Sequence, residues 1–298
     1  MQIALLAERL RVEERLLTEA FESRGHEVAL VNPSAIHVGF DGAGGAQIQV
    51  VKDGESTPFV ADLALDRSTA TTEGAALGAL VANRGVVMVN RPATTRLLAD
   101  RLAAHRHLTF ATIPVAETIV SFGETATFNA IETIGYPVLL KSIKTDHAYP
   151  FAIIEDEDAA EAIVEHRVTL GDERGVMVQR FISGQSRSVR LVVVGESVVA
   201  VEQRSLKGWK PAVDADYVPF EGDDSALRAL GQRVVERLGS GTYSIEVVDA
   251  VDGPLVVGLE NLIDFRSIAH RGDAIAEQIA EFALAQLSVP AGGEQVGV

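Results

Sequence analysis

The sequence predicts an α/β protein with some α+β character, divided into three domains. The chain has 298 residues, 47% of them hydrophobic, which is enough for more than one core. In its first half, short apolar segments typical of strands alternate with helical segments, an order that favours α/β domains. Its second half instead contains long strand-like segments with hairpin signals, which indicate antiparallel sheet.

The first predicted domain, residues 1–91, is a small parallel sheet with helices. Its predicted strands are residues 2–7, 26–31, 61–66 and 86–89. The helix after the first strand has one apolar face and ends at Gly25. The glycine-rich residues 40–45 are predicted to form a turn, because they lack the spacing and the following helix of a dinucleotide-binding loop. The break at residues 90–92 marks the domain boundary.

The second predicted domain, residues 92–175, continues the alternation. Its predicted helices are residues 94–104, 125–134 and 159–166, and its predicted strands are residues 115–120, 135–141 and 151–154. The acidic residues 155–158 precede the third helix, where negative charge stabilises the helix N-terminus. A polar loop, residues 142–150, separates two of the strands.

The third predicted domain, residues 176–290, consists mainly of strands. Its predicted strands are residues 176–182, a hairpin over residues 187–200 that turns at Gly195 and Glu196, and residues 242–250 and 255–261. Its predicted helices are residues 225–238 and 273–286. A polar crossing segment, residues 205–222, joins the hairpin to the first of these helices. Residues 291–298 are predicted to be a loose tail.

Composition restricts the class of protein. The formal net charge is −16, which argues against general nucleic-acid binding because phosphate backbones repel such a surface. The chain has no cysteine, so disulfides and thiolate metal sites are excluded. No segment is predicted to span or bind a membrane, and the start lacks the basic flank of a signal peptide. We therefore expect a cytoplasmic protein.

The boundary between the second and third domains gives the first functional indication. One apolar strand ends on Lys141, and the strand at residues 176–182 places backbone donors and acceptors at residues 179–182. Arg187 and Arg190 lie at the start of the hairpin. A nucleotide site needs apolar walls, a strand edge that reads the base and a cation near the phosphates, so this segment favours a nucleotide cleft. Buried strands with charged residues at their solvated ends are the alternative interpretation.

The order of these segments resembles the ATP-grasp superfamily and, within it, the LysX/RimK-like carboxylate–amine ligases. The stretches that carry the resemblance are residues 11–17, 89–92, 135–141, 187–195 and 264–266. The resemblance covers most of the chain. It implies an ATP-grasp fold, in which three domains hold a nucleotide cleft between two antiparallel sheets. It also implies ATP and Mg²⁺ as cofactors.

The resemblance assigns roles to individual residues by position. The residues that it implies for nucleotide binding are Arg101, Lys141, Gln179, Arg180, Phe181 and Ile182. Those that it implies for stabilising an acyl phosphate are Arg187, Arg190 and Arg204. Those that it implies for binding magnesium are Glu246, Glu260 and Asn261. Those that it implies for binding the substrate are Arg67 and Arg266.

The implied activity is ATP-dependent ligation. ATP would phosphorylate a glutamate carboxylate, carried by a small acidic protein that ends in glutamate, and the amine of an amino acid would then displace the phosphate. Members of the LysX type act in this way in lysine or arginine biosynthesis. The resemblance also implies a homodimer or a homotetramer.

The chain departs from the family pattern in three segments that the resemblance implies for binding the ATP phosphates and their magnesium ion. Residues 144–149 replace a glycine-rich loop, and glycine is what allows a backbone to approach a phosphate closely. Residues 211–216 lack the family's asparagine and arginine and contain two aspartates. Glu260 and Asn261 are adjacent, whereas the family has Glu-x-Asn. These departures favour a second hypothesis, a paralogue that binds a carrier, a partner ligase or a nucleotide without catalysis.

Two further features leave alternatives open. His147 lies in the polar loop, where it is either a base or a solvated side chain. Trp209, with Lys207 and Lys210, is a small basic and aromatic patch in an acidic protein. That patch either receives an acidic carrier tail or caps a sheet.

Overall fold

The structure is a computed structural model that describes residues 1–42, 45–69, 71–145, 151–171, 173, 175–182, 187–204, 217–250, 252–265 and 272–288. The chain separates into two compact units. The smaller unit comprises Met1–Thr69, Ala76–Pro92 and Asp264–Val298, and the larger comprises Ala70–Ala75 and Ala93–Ile263. The predicted domain boundaries at residues 91, 175 and 290 stay predictions.

The strands of the described residues follow in chain order. They are β1 (Gln2–Leu6), β2 (Glu27–Val31), β3 (Ile36–Phe40), β4 (Ala46–Lys52), β5 (Glu55–Pro58), β6 (Leu63–Asp66), β7 (Val87–Val89), β8 (Thr118–Ser121), β9 (Val138–Ser142), β10 (Phe151–Ile154), β11 (Val176–Arg180), β12 (Arg187–Gly195), β13 (Ser197–Arg204), β14 (Tyr217–Pro219), β15 (Gly241–Ala250) and β16 (Gly253–Glu260).

The helices are interspersed among these strands. They are α1 (Val12–Glu22), α2 (Thr71–Ala82), α3 (Pro92–Ala99), α4 (Arg101–Phe110), α5 (Glu124–Ile134), α6 (Glu157–Val164), α7 (Ser225–Leu238) and α8 (Gly272–Gln286). A 3₁₀ turn spans Pro33–Ala35, and a π-helical turn spans Glu165–Thr169. Within the described residues, no helix combines the length and the apolarity needed to cross a membrane.

The smaller unit contains the predicted parallel sheet, in the order β2-β1-β6-β7. Its core includes Ala4, Leu6, Ala64 and Met88, which come from three of these strands. A second, antiparallel sheet in the order β3-β4-β5 was predicted only as a turn between short strands. Helix α8 packs against α1, the first helix of the chain. The first helix and the last described helix therefore meet in this unit.

The larger unit contains two antiparallel sheets, in the orders β10-β9-β11-β8 and β14-β13-β12-β15-β16. Helices α5 and α6 cover one face of the first sheet, and apolar residues from these helices and the strands form its core. Helix α7 covers one face of the second sheet. A side-chain carbon at Gly231 of α7 would lie 2.7 Å from Val198 and 2.8 Å from Leu191, so the helix approaches that sheet closely. Each sheet therefore has one helix-covered face.

Several predicted elements differ from the structure in extent. The single helix predicted over residues 94–104 is wrong, because Asp100 has an extended backbone and separates α3 from α4. The Asp100 carboxylate accepts a hydrogen bond from the Ala103 backbone N–H at 2.8 Å and caps α4. The crossing segment at residues 205–222 ends in strand β14, which pairs with β13. The other predicted strands and helices are present, most of them with shifted ends, while residues 151–154 and 225–238 have the predicted ends.

A buried ion pair fixes the end of β9. Arg167, in the π-helical turn, donates from Nε and Nη2 to the two carboxylate oxygens of Glu173, at 2.7 and 2.9 Å. The same guanidinium donates to the Ser142 hydroxyl at 2.8 Å and to the Leu140 carbonyl at 3.3 Å. Leu140 and Ser142 are the neighbours of Lys141 in the chain, so this network holds the strand segment that carries the predicted nucleotide lysine.

We expect Arg167→Met to lower the free energy of unfolding by about 3–5 kcal/mol, because it leaves the Glu173 carboxylate buried without a partner. The double variant Arg167→Met/Glu173→Leu should recover most of that loss, since it removes both charges. Urea denaturation measures the difference. The matched control is Arg15→Met, which removes one member of an exposed ion pair with Glu19 and should change stability by less than about 1 kcal/mol. If the double variant were as unstable as Arg167→Met, the unpaired Glu173 carboxylate would not be the cause of the lost stability.

Candidate functional site

A cleft lies in the larger unit between the two antiparallel sheets and helix α4. The space inside it, including the part open to solvent, is about 410 Å³. Most of its lining side chains are apolar, and a smaller group is polar or charged. The lining residues are Leu98, Arg101, Ala104, His105, Leu108, Val115, Lys141, Met177, Gln179, Val256, Val257, Gly258 and Leu259.

Lys141 connects the two sheets across this cleft. Its ammonium group donates to the Gln179 side-chain oxygen at 2.6 Å and to the Val257 carbonyl at 2.7 Å. Val257 is the bulged residue of β16, because Glu246 pairs with Gly258 while Val247 pairs with Val256. Burial, reinforced by the charge of Arg101, lowers the pKa of Lys141 to about 8 against the opposing effect of the Glu260 and Glu246 carboxylates. The lysine remains mostly protonated at neutral pH.

The predicted hinge is only partly directed into the cleft. Gln179 is buried, and its side-chain amide also donates to the Thr118 hydroxyl at 3.0 Å. Arg180 points to the surface, where its guanidinium donates to the Glu117 carboxylate at 2.7 Å. The Phe181 backbone N–H donates to the Pro137 carbonyl at 3.3 Å, and Ile182 follows the end of β11. Of the four predicted hinge residues, Gln179 is the one that lines the cleft.

Arg101 lies at the first position of α4, directly after the break at Asp100. Its guanidinium donates to the carbonyls of Ser142 and Lys144, at 3.2 and 2.6 Å, and approaches the Glu260 carboxylate at 3.8 Å. These contacts place the arginine at the cleft between the end of β9 and the end of β16. The structure therefore brings Arg101, Lys141 and Glu260 to the same cleft region.

A row of charged residues crosses the second sheet on the face opposite α7. The register places three charged residues, Glu202, Arg190 and Glu246, side by side on β13, β12 and β15, with the uncharged Gly258 next to them on β16. Arg190 is buried, donates to the Glu202 carboxylate through Nε at 3.0 Å and through Nη2 at 2.5 Å, and lies 3.8 Å from the ring centroid of Tyr217. Glu202 therefore neutralises Arg190 in this conformation.

Glu246 and Glu260 share that face of the sheet. Glu246 lies opposite Gly258, and Glu260 is two residues further along the same strand, so both carboxylates project to one side. Burial, together with the negative charge of Glu260, raises the pKa of Glu246 to about 7 against the opposing charges of Arg190, Arg204 and Lys141. Asn261 is buried and follows the end of β16.

The oxygen donors here fit a magnesium ion. Mg²⁺ is usually held by one or two carboxylates together with substrate phosphates and water. Glu246 and Glu260 supply two carboxylates. Their pKa values are raised, and a cation bound between them would lower these values by stabilising the charged forms. Among the described residues, no group of three His, Cys, Asp or Glu side chains converges into a complete metal site. The donors therefore fit a metal whose remaining ligands come with the substrate.

The other predicted site residues lie at varied distances from this group. Arg204, half-buried at the end of β13, lies opposite Tyr217 on the face that carries Arg190. Arg187 begins β12 opposite Asp249, and its side chain lies outside the described part. Arg266, like the segments with His147, with Trp209 and its two lysines, and with residues 211–216, lies outside the described residues.

Arg67 belongs to the smaller unit, at the carboxyl end of β6. It is buried, its Nε donates to the Glu14 carboxylate at 3.1 Å, and its guanidinium lies 5.6 Å from the ring centroid of Phe265. Arg11 donates to the same glutamate at 2.8 Å and to the Arg67 carbonyl at 3.0 Å. The carboxyl ends of parallel strands are where open α/β sheets bind ligands. The structure thus places the arginine at such an edge, paired with a carboxylate.

Three residues of the candidate site, one in the cleft and two at Arg190, were missed by the sequence reasoning. Glu202 and Tyr217 contact Arg190, and His105 lines the cleft one helical turn after Arg101. The alternation of the hairpin could have placed Glu202 on the Arg190 face once the register was known. The spacing of four residues between Arg101 and His105 was a visible signal on one helix face. Tyr217 lies on β14, a strand that the sequence reasoning did not predict.

Comparison with known proteins shows which families and solved structures the chain is similar to. Residues 3–97 match the LysX preATP-grasp domain, and residues 98–209 match the RimK-like ATP-grasp domain. A solved RimK domain ATP-grasp protein from Sphaerobacter thermophilus is 50% identical, with a TM-score of 0.82, over 95% of this chain and 100% of that one. The ATP-grasp ligase PsnB, solved with a minimal precursor, Mg and ADP, is 16% identical with a TM-score of 0.66, over 96% and 97% of the two chains, and shares the fold.

A relative with a named reaction is the glutamate–LysW ligase ArgX of Sulfolobus acidocaldarius. It is 22% identical over 254 residues, which are 84% of this chain and 85% of that protein. The family indicated by the 50% identical RimK domain protein is the same as that indicated by the two domain matches. The cleft between two antiparallel sheets is consistent with it. The chain belongs to the RimK-like ATP-grasp family of ligases, enzymes that form C–N bonds, and carries a LysX-type preATP-grasp domain.

Proposed function

We propose that this chain is an ATP-dependent ligase that joins a glutamate carboxylate, carried by a small LysW-type carrier protein, to the amine of an amino acid. The observation that supports this most directly is the cleft between two sheets, with Lys141 and Arg101 at its wall and the carboxylates of Glu246 and Glu260 on the adjacent sheet face. Cations for phosphates and carboxylates for Mg²⁺ are the two charge types that phosphoryl transfer needs. The reaction named for ArgX supports the choice of carrier.

The proposed reaction has two steps. The glutamate carboxylate oxygen attacks the γ-phosphorus of ATP, the bond to the bridging oxygen breaks, and ADP leaves. The amine nitrogen then attacks the carbonyl carbon of the acyl phosphate, a C–N bond forms, and inorganic phosphate leaves while the nitrogen loses its proton to solvent. No side chain acts as a nucleophile, so the protein contributes positioning and electrostatic stabilisation.

Each residue group has a separate part in this proposal. Lys141, Arg101 and the hinge at residues 179–182 hold ATP. Glu246 and Glu260, with Asn261 nearby, hold Mg²⁺, which when bound neutralises charge on the transferring phosphoryl group. The residues proposed to stabilise the acyl phosphate are Arg187, Arg190 and Arg204. The residues proposed to bind substrate are Arg67 and Arg266.

The second candidate function is binding without catalysis, of a carrier, a partner ligase or a nucleotide. The pairing of Arg190 with Glu202 favours it, because a neutralised arginine offers less attraction to a phosphate. ADP release separates the two candidates. The assay supplies ATP, Mg²⁺, a LysW-type carrier with a C-terminal glutamate, and each amino acid in turn. ADP release that depends on both carrier and amine supports the ligase, whereas ATP binding without release supports the second candidate.

We expect Lys141→Met to remove most of the thermal stabilisation by ATP. A ligand at 100 times its dissociation constant stabilises a protein by about 2.7 kcal/mol, and loss of the lysine weakens binding below that level. The exposed Lys52→Met is the matched control. If Lys141→Met retained the full shift, the lysine would not be a nucleotide ligand.

ATP affinity of the wild-type protein should fall as the pH rises through about 8. The free protein loses the Lys141 charge in that range, because burial lowers the pKa of this lysine to about 8. Lys141→Arg stays charged at these pH values, so its affinity, whatever its absolute level, should not fall there. Calorimetric titrations between neutral and mildly alkaline pH measure the effect. Parallel profiles for wild type and Lys141→Arg would contradict it.

Glu246→Gln should raise the Mg²⁺ concentration needed for half-maximal stabilisation by ATP by at least about tenfold, because an amide replaces a charged oxygen ligand. Thermal melting with Mg²⁺ titrated at constant ATP measures this without turnover. The exposed Glu236→Gln on α7 is the matched control. Equal Mg²⁺ dependence in the two variants would remove Glu246 from the proposed metal site.

A further inference from the structure

The polar side chains that line the cleft differ in the hydrogen bonds that they make within the protein. Lys141 donates to Gln179 and to a carbonyl of β16, and Gln179 donates in turn to a threonine of β8. Arg101 donates to two backbone carbonyls near the end of β9. His105 lines the same cleft, but no hydrogen bond or ion pair of its imidazole is found within the described part of the chain.

His105 lies on the side of α4 that lines the cleft. It lies four residues after Arg101 on α4, so the two side chains occupy one face of the helix. It is half-buried, and burial lowers its pKa, with the charge of Lys141 adding to the effect. A neutral imidazole has one N–H donor and one nitrogen acceptor, the combination found along the polar edge of a purine base.

The surroundings favour a base over a phosphate at this position. Leu108, Met177 and Leu259 are among the apolar residues that line the cleft with His105. Phosphates are strongly hydrated anions whose transfer to apolar walls is unfavourable, whereas a planar base buries well there. The permanent cation of the cleft, Arg101, and the mostly protonated Lys141 are better suited to phosphate oxygens.

We propose that His105 recognises the nucleobase of the bound nucleotide through its neutral imidazole and thereby sets the preference among nucleoside triphosphates. This inference rests on the proposed nucleotide-binding function and adds a base-specificity residue to it. The imidazole contributes hydrogen bonds to the base and none to the triphosphate. Its removal therefore lowers affinity for the nucleoside part alone.

The test compares His105→Ala and His105→Gln with the wild-type protein in the full-length chain. The matched control is His107→Gln on the same helix, since the His107 imidazole contacts the Arg237 carbonyl at 3.1 Å and does not line the cleft. Dissociation constants are measured by calorimetry for ATP, GTP and inorganic tripolyphosphate, with Mg²⁺ and without carrier or amine. Melting temperatures without ligand confirm that each variant is folded.

For His105→Ala we expect ATP binding about three- to tenfold weaker, the range that corresponds to one or two lost hydrogen bonds. Tripolyphosphate binding should stay unchanged, and the ratio of ATP to GTP affinity should move toward one. His105→Gln keeps a donor and an acceptor, so it should recover part of the loss, and His107→Gln should match wild type.

Two results would overturn the inference while the proposed function stands. One is unchanged ATP affinity in both His105 variants. The other is a parallel loss for ATP and tripolyphosphate, which would make His105 a phosphate ligand. If the wild-type protein binds none of the three ligands, the proposed function itself fails, and the inference falls with it.

Discussion

The arrangement of the larger unit depends on one charged group held between two sheets. The Lys141 ammonium reaches from β9 to the bulged carbonyl of β16 and at the same time to Gln179 on β11. A buried ammonium without such partners would be strongly destabilising, so the bulge and the glutamine make this position possible. The same contacts place the Lys141 charge at the wall of the cleft. A nucleotide phosphate there would offer the ammonium a charged acceptor in place of the neutral oxygens of Gln179 and Val257, which is a favourable exchange for a buried cation.

Two other cations of the larger unit are already paired with carboxylates, which limits where an anion can bind. Arg167 is bound by Glu173 beneath β9, and Arg190 is bound by Glu202 on the second sheet. Glu246 is left with a raised pKa beside Glu260, on the face where a divalent cation would relieve the repulsion of the two carboxylates. The distribution is therefore uneven, with cations on the side of β9 and α4 and carboxylates on the side of β15 and β16. MgATP carries both charge types and matches that division.

Local sequence patterns predicted most of the helices and strands. The remaining features depend on contacts between residues that are distant in the sequence, which local patterns do not show. The hairpin turn at Gly195 and helix α7 were predictable, because the first has a turn glycine between apolar strands and the second has a clear amphipathic face. The break at Asp100 involves a contact with the residue directly after β9, since the Arg101 backbone N–H donates to the Ile143 carbonyl, and no local pattern shows that contact. Likewise, the neutralisation of Arg190 by Glu202 follows from the pairing of β12 with β13, and its contact with the Tyr217 ring involves a strand that was not predicted. The resemblance could propose roles for Lys141 and Glu246 by position, but it could not show which partners these residues have in the structure.

The most direct measurement of the central claim is a crystal structure of the full chain with Mg²⁺ and a non-hydrolysable ATP analogue. The proposed function predicts the base in the cleft lined by His105 and Leu259 and a phosphate oxygen within about 2.7–3.2 Å of the Lys141 ammonium. It also predicts Mg²⁺ between the phosphates and Glu246. A nucleotide bound away from this cleft, with the lysine still donating to Gln179 and Val257 alone, would contradict it.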